Sequence, residues 1–268
     1  MSSAPEYEIL AIRYAHLDRS SRHNFLGGDD HDTPMPLDYF VWLVRGAGRQ
    51  LLVDTGFDAR AARQRGRQLT RPVAAGLAVA GVAADAIEDV IITHMHYDHA
   101  GNIPLFPRAR FHVQDAELGW CTGRAMTHPH LRAPFDGDNV VSMVHMLFEG
   151  RVAFHAGDGE LLPGITLHQL GGHTPGLQAV RVNTRRGPVV LASDATHFWA
   201  NLTRAAPFPI VVDVQQYLQS HQRLLQLAPS LDHIIPGHDP AVLTRFPAEP
   251  GTTDIARVDL PPRTEHQA

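Results

Sequence analysis

The nine residues Thr93–Gly101, Thr-His-Met-His-Tyr-Asp-His-Ala-Gly, constrain this chain more than any other stretch. They follow directly on the apolar run Val90-Ile91-Ile92. An apolar run that stops at a polar cluster reads as a buried strand ending in a loop. Loops at strand ends are where a rigid sheet presents chemistry. His94, His96, Asp98 and His99 all fall within this one loop, and crowding ionisable groups so closely is costly unless something cationic unites them. Imidazole nitrogen and carboxylate oxygen suit zinc or another divalent transition ion. His94 and His96 are two apart, so extended backbone points both the same way. Asp98 and His99 are adjacent and diverge, which places them to serve a second ion beside the first. The plain alternative is a solvated histidine-rich loop, and the crowding argues against it.

With 268 residues, the chain has room for one large α/β domain or two small ones. No linker-like break divides it, so a single domain over 1–268 is expected. Its 44% hydrophobic and 19% charged content is that of a globular protein. A net charge of −5 gives no general attraction to nucleic acid or to an anionic membrane. No apolar run approaches the roughly 20 residues of a membrane span, and the first residues lack a signal-peptide pattern. A soluble, cytoplasmic protein is expected. The single cysteine, Cys121, excludes an internal disulfide framework and a cysteine-based zinc cluster.

Other strand ends repeat the theme. Ile9–Tyr14 reads as a first strand, followed by a long polar loop from His16 to Pro36 of the kind that is often functional. His16, His23 and His31 in that loop read mainly as surface histidines, with a place at a site entrance as the sharper reading. Tyr39–Val44 and Gln50–Asp54 form a hairpin signal around Gly46-Ala47-Gly48. The second of these strands ends in Val53-Asp54-Thr55-Gly56. Asp54 reads equally as a turn residue and as a carboxylate that orients a ligand histidine. Asp58–Gln68 is basic and helical in pattern, and Pro72–Ala80 reads as a helix stopped by Gly81. Arg110–Val113 reads as a strand, with Asp115 as N-cap of a helix through Trp120.

The stretch from about 120 to 160 reads as an apolar insertion rather than a layer of the sheet. Its Met126, Phe135 and Met143 are either ordinary packing or an apolar wall over the site. Ile165–Gln169 leads into Gly171-Gly172-His173-Thr174-Pro175-Gly176, a tight turn that exposes His173. The strand Pro188–Ala192 runs into Ser193-Asp194-Ala195-Thr196-His197. Asp213–Leu227 is an amphipathic helix with Tyr217 and Leu224 in its buried stripe. Ile234-Ile235 ends in Pro236-Gly237-His238-Asp239, and the tail from Pro247 reads as peripheral. Asp54, His94, His173, Asp194 and His238 thus stand at strand ends, which fits a mixed sheet with helices outside and ligands along one edge.

In order and spacing, the 93–101 loop, Gly171–Gly176, Ser193-Asp194 and Pro236-Gly237-His238 resemble the metallo-β-lactamase superfamily, with Val53-Asp54-Thr55-Gly56 similar to its upstream motif. The resemblance implies an α/β, four-layer αββα sandwich with a metal site at the sheet edges. It puts His94, His96 and His173 on one metal and Asp98, His99 and His238 on a second, with Asp194 bridging. Two divalent ions are implied, zinc first, with iron or manganese as alternatives. Three imidazoles leave open positions for water, and a hydroxide held between two cations is a nucleophile at neutral pH.

Within the superfamily, aspartate rather than cysteine at 194 disfavours the zinc β-lactamases that carry a cysteine there. The short stretch after His238 disfavours glyoxalase II-like thioesterases, and the acidic balance disfavours processing nucleases. The resemblance is strongest to the N-acyl-homoserine lactone lactonases. It implies ring opening of a small-molecule lactone by attack of a metal-bridging hydroxide, with Asp98 and Asp194 as catalytic residues. His197 is read separately as a third, a donor to the carbonyl or leaving oxygen, with a different ester, lactone or cyclic amide, or a bystander histidine, as the alternatives. Hydrolysis of another ester, lactone, thioester or cyclic amide is the alternative, and a non-catalytic metal-binding module the third reading. One departure stands out: those lactonases carry a tyrosine three residues after the bridging aspartate, where this chain has His197. A homodimer packed through the apolar insertion is a further expectation.

Overall fold

The computed structural model describes residues 4–264. The chain opens with β1 (Glu8–Leu17), β2 (Leu37–Gly46) and β3 (Arg49–Val53), followed by α1 (Ala59–Arg65), the two-residue β4 (Gln68–Leu69) and α2 (Val73–Val79). Next come β5 (Asp89–Ile91), β6 (Arg110–Gln114), α3 (Asp115–Cys121), α4 (Pro129–Arg132), α5 (Gly137–Phe148) and β7 (Val152–His155). The second half holds β8 (Gly159–Leu162), β9 (Ile165–Gln169), β10 (Gln178–Thr184), β11 (Gly187–Ser193), α6 (Trp199–Thr203), α7 (Val214–Leu227), β12 (Ile234–Pro236), α8 (Ala241–Arg245) and β13 (Ile255–Arg257).

Two sheets result. One runs β13-β1-β2-β3-β5-β6-β7, with β4 added to β1; the other runs β12-β11-β10-β9-β8. The turn joining β2 to β3 places Ala47 and Gly48 at φ 50° and 71°, the twist a tight two-residue hairpin needs.

The period-2 alternation of each strand sorts side chains between layers. In β1, Ile9 and Ala11 face the second sheet and join Val180, Val182, Val189 and Leu191 in one core. Leu10 and Ile12 face the other way, onto Ala61 of α1 and Leu77 of α2. In the second sheet, Val190 and Ala192 turn outward onto Leu202 of α6 and Leu224 of α7. Helix, sheet, sheet, helix is therefore written into the alternation itself. Parallel pairing of β3 with β5 and of β11 with β12 puts the C-terminal ends of each pair together. Across that edge, Gln178 N–H donates to Thr93 O at 3.0 Å and Gln178 Nε2 donates to Ile92 O at 2.9 Å. These bonds tie the two sheets where the candidate ligands emerge.

Three elements differ from the sequence expectation. The insertion is not wholly outside the sheet: β7 pairs in parallel with β6 as an edge strand, and α5 precedes it. The tail from Pro247 is not peripheral throughout. It returns as β13 against β1, burying Ile255, Ala256 and Val258. Asp115 is the first residue of α3 rather than its cap, with Gln114 in the cap position, where its carboxylate still faces the positive helix end. Among the described residues no helix is long and apolar enough to cross a membrane.

Candidate metal centre

Each expected ligand leaves a strand end and arrives in one cluster. His94, His96, His99, His173, Asp194, His197 and His238 are all buried, and Asp98 is half-buried. The rings of His94, His96 and His173 stand 4.5–4.8 Å apart, centroid to centroid, in a triangle. Ligand atoms of these three and Asp194 lie within 4.8 Å of one another, as do those of Asp98, His99 and His238. Asp194 sits between the two groups. Its Oδ2 is 3.2 Å from His173 Nε2 and 3.8 Å from His94 Nε2, while its Oδ1 is 3.3 Å from His99 Nε2 and 3.0 Å from His238 Nε2.

The surrounding hydrogen bonds turn lone pairs inward. His173 Nδ1 donates to Ile210 O at 2.7 Å, His238 Nδ1 to Asp38 O at 3.0 Å, and His99 Nδ1 to Asp54 Oδ2 at 2.7 Å. Thr93 Oγ1 donates to Asp54 Oδ2 and lies 3.2 Å from His94 Nδ1, whose N–H it accepts. In these four rings Nε2 is left as an acceptor facing the cluster. His94 Nε2, His99 Nε2 and Asp194 Oδ1 are buried with no hydrogen-bond partner. Buried acceptors aimed at one point, without donors, fit a cation. The residues present therefore fit a pair of divalent ions.

The charges agree. Burial first, then the neighbouring imidazoles, push His94 and His96 well below the ordinary histidine range, so both are neutral. Burial opposes the charge of Asp194, but the imidazoles around it, His197 and His238 foremost, hold its carboxyl well below the ordinary range. Burial works in the same downward direction on His99, yet Asp194, Asp54 and Asp98 outweigh it and raise that imidazole.

The tight turn at His173 depends on two glycines. Gly172 has φ 88°, and a Cβ there would meet Tyr217 N at 2.3 Å; at Gly176 it would meet Glu117 N at 2.2 Å.

A family model of the metallo-beta-lactamase superfamily matches residues 35–238, which include every cluster residue. The chain belongs to the metallo-beta-lactamase superfamily. Among individual relatives, an N-acyl homoserine lactonase of Bacillus sp is 30% identical over 152 residues, 56% of this chain and 55% of that protein. The chain thus spans about half the length of that relative. An acyl-coenzyme A thioesterase of Gallus gallus is 26% identical over 74% of this chain and 71% of its own length. A solved quorum-quenching N-acyl homoserine lactone lactonase superposes with a TM-score of 0.73, at 24% identity, over 90% of this chain and 95% of that one.

In this superfamily member His197 lies inside the cluster, its Nε2 3.1 Å from Asp194 Oδ2. Its ring stacks on Phe208 at 3.6 Å and 6°, and Tyr217 Oη lies 3.5 Å from its Nδ1. Burial pushes the imidazole down to about 3, which keeps it neutral. Tyr217 is buried, as its place in the stripe of α7 indicates, and it also reaches the site. Its spacing alone marks it as core and carries no sign of that second part.

Glu117 is the other residue that spacing does not reveal. It is fully buried in α3 and accepts from Met95 N at 2.8 Å, Thr174 Oγ1 at 2.6 Å and Gly176 N at 3.2 Å. One carboxylate thereby fastens the 93–101 loop to the 171–176 turn. A cavity of about 300 Å³ opens onto Asp98, Asp194, His197 and His238. The insertion supplies Pro134 and Phe135 to its wall, so the sharper reading of that segment holds for these residues. His16, His23 and His31 do not line it, whereas Arg19 from the same loop does.

Proposed function

We propose that this chain is a metal-dependent hydrolase that opens lactone rings, with N-acyl homoserine lactones the first class to test. One observation carries the reading: Asp194 stands between two complete ligand groups, one oxygen toward each. The N-acyl homoserine lactonase among the relatives supports the choice of reaction. We assign His94, His96 and His173 to one metal, Asp98, His99 and His238 to the other, and Asp194 to both, in a single domain. The all-nitrogen-and-oxygen donor set favours zinc, with iron and manganese compatible.

When bound, such a pair supplies Lewis acidity, acidifying a water and polarising a carbonyl. The side chains of the chain do the rest. Asp194 and the five ligand histidines hold the reacting centre rigidly, because each ligand ring is anchored from behind or packed edge-on against its neighbours. Phe208 and Tyr217 fix the plane of His197, whose Nε2–H is offered beside Asp194 to an oxygen of the ring ester. Asp98, half-buried and open to the cavity, takes a proton from the attacking water and passes it to the ring oxygen as the C–O bond breaks. Water oxygen joins the acyl carbon, and the products are a carboxylate and a hydroxyl in one molecule. The apolar cavity wall excludes competing solvent from the acyl chain.

Asp194→Asn tests the assignment. An amide offers one acceptor oxygen where the carboxylate offers two. Metal content is expected to fall, and ring-opening activity to drop by more than about a hundredfold with it. Full activity with a full metal complement in that variant would end this reading.

A further inference from the structure

One wall of the cavity is cationic. Arg19, Arg65 and Arg67 line it, and among the described residues none of them forms an ion pair with a carboxylate. Arg13, Arg45, Arg60 and Arg71, by contrast, all do. The three have different duties. Arg65 is committed to the wall: its guanidinium lies 3.9 Å from the Tyr97 ring centroid and donates to Ala133 O at 3.0 Å and Phe135 O at 2.9 Å. Arg67 is clamped by Nε to Tyr97 Oη at 3.0 Å and by Nη1 to Arg65 O at 2.5 Å, leaving Nη2 without an acceptor among the described residues. Arg19 donates Nη2 to His23 O at 2.5 Å, while its buried Nε has no partner.

The position of this pair relates it to the reacting centre. The Arg19 guanidinium stands 5.2 Å from the Phe208 ring, and that ring stacks on His197. Arg67 is bonded to Tyr97, which lies between His96 and Asp98 in the ligand loop. Burial, together with the like charge of Arg67, lowers the Arg19 guanidinium from its ordinary value against the opposing influence of Tyr39. Neither half-buried cation is salt-bridged among the described residues; burial opposes the charge of Arg67, but Tyr39, Tyr97 and Asp98 outweigh it and raise that guanidinium, whereas Arg19 stays lowered. Asp98 and Asp194, the acids on this cavity, are already engaged if the metal assignment holds. Clamped guanidiniums with unused N–H donors are the usual receptor for a carboxylate or phosphate. Leu131, Pro134 and Ile210 add apolar lining to the same cavity.

From this arrangement we infer that Arg19 and Arg67 form a subsite for an anionic group of the substrate, a carboxylate or phosphate borne on the part away from the scissile carbonyl. The inference rests on the proposed lactone or ester hydrolysis and narrows its substrate class. Neutral acyl homoserine lactones then share the reacting ring with the preferred substrate but lack its charged end.

The test keeps the ring constant and changes the tip of the acyl chain. Metal-loaded protein is assayed with N-butanoyl-homoserine lactone, N-succinyl-homoserine lactone and a phosphonate-tipped analogue of equal length. A charged tip is expected to raise kcat/KM by about tenfold or more, mainly through KM. The better of the two charged tips distinguishes a carboxylate from a phosphate ligand. The charged-to-neutral ratio is expected to fall toward one in Arg67→Gln and Arg19→Gln, and in the unaltered protein as salt is raised. A wild-type ratio at or below one overturns the subsite. Calorimetric binding of the ring-opened succinyl and butanoyl products separates this inference from the reaction it rests on. If no lactone is opened but the succinyl product binds more tightly, and the gap closes in Arg67→Gln, the reaction fails and the subsite stands. Equal binding of the two products removes the subsite.

Discussion

Asp54 shows how much one residue carries at this site. Its φ of 63° lies in the left-handed region, which aspartate tolerates better than most residues. That turn aims one carboxylate at Thr93 N at 2.7 Å, Thr93 Oγ1 at 2.8 Å and His99 Nδ1 at 2.7 Å. Of the two readings open from sequence, the turn is present, and it is what lets Asp54 hold the ring of His99, the candidate ligand. The candidate ligand histidines were legible as individuals, since the segments that carry them follow apolar strands. Glu117 was not, because its three partners are backbone and hydroxyl donors far away along the chain. His221 gives a prediction at this scale. Burial pushes it down to about 4, below the unfolded value, so the unfolded chain binds the extra proton between about pH 6.5 and 4. Its contribution to stability is therefore present above pH 6.5 and lost as pH falls toward 4. Denaturant unfolding of wild type and His221→Leu should diverge across that window, wild type losing about 2–3 kcal/mol more on acidification. Parallel curves would refute this assignment.

At the scale of elements, α3 works as a clasp. Glu117 projects from it to the loop that holds His94 and to the turn that holds His173. Glu117→Ala would leave buried donors unmet, at about 1–3 kcal/mol each. We expect a loss of several kcal/mol in denaturant unfolding together with weaker metal binding by the His94–His96–His173 group. Unchanged stability and unchanged metal affinity would show that the clasp carries no weight. The strands and helices that the sequence concealed are the edge ones. β7 is four residues, half-exposed except for the exposed Phe154 and with none buried, so its alternation has little contrast. α5 packs Val140, Met143 and Leu147 inward, but Val141 and the 86% exposed Phe148 blur the helical period. β13 is three residues long in a proline-rich tail, and pairing with β1 on one side and with residues 247–249 on the other fixes it.

For the whole molecule, strand-loop-helix order pointed to a mixed sheet with helices outside, whereas the second sheet and the four-layer order came only with the family resemblance. The edge on which the ligands meet followed from where polar clusters interrupt apolar runs. The cavity was not legible: Arg19, Arg67, Phe208 and Phe135 come from four separate segments that only the folded sandwich gathers. The reaction reading therefore rests on the ligand cluster, and the substrate reading on the cavity. One experiment addresses the central claim most directly. Metal is removed by chelation, zinc is returned in measured amounts, and proton release from a panel of homoserine lactones is followed at each step. The account predicts no ring opening in the stripped protein and recovery that saturates at two zinc ions per chain. Ring opening that persists undiminished in protein shown to be free of metal would contradict it.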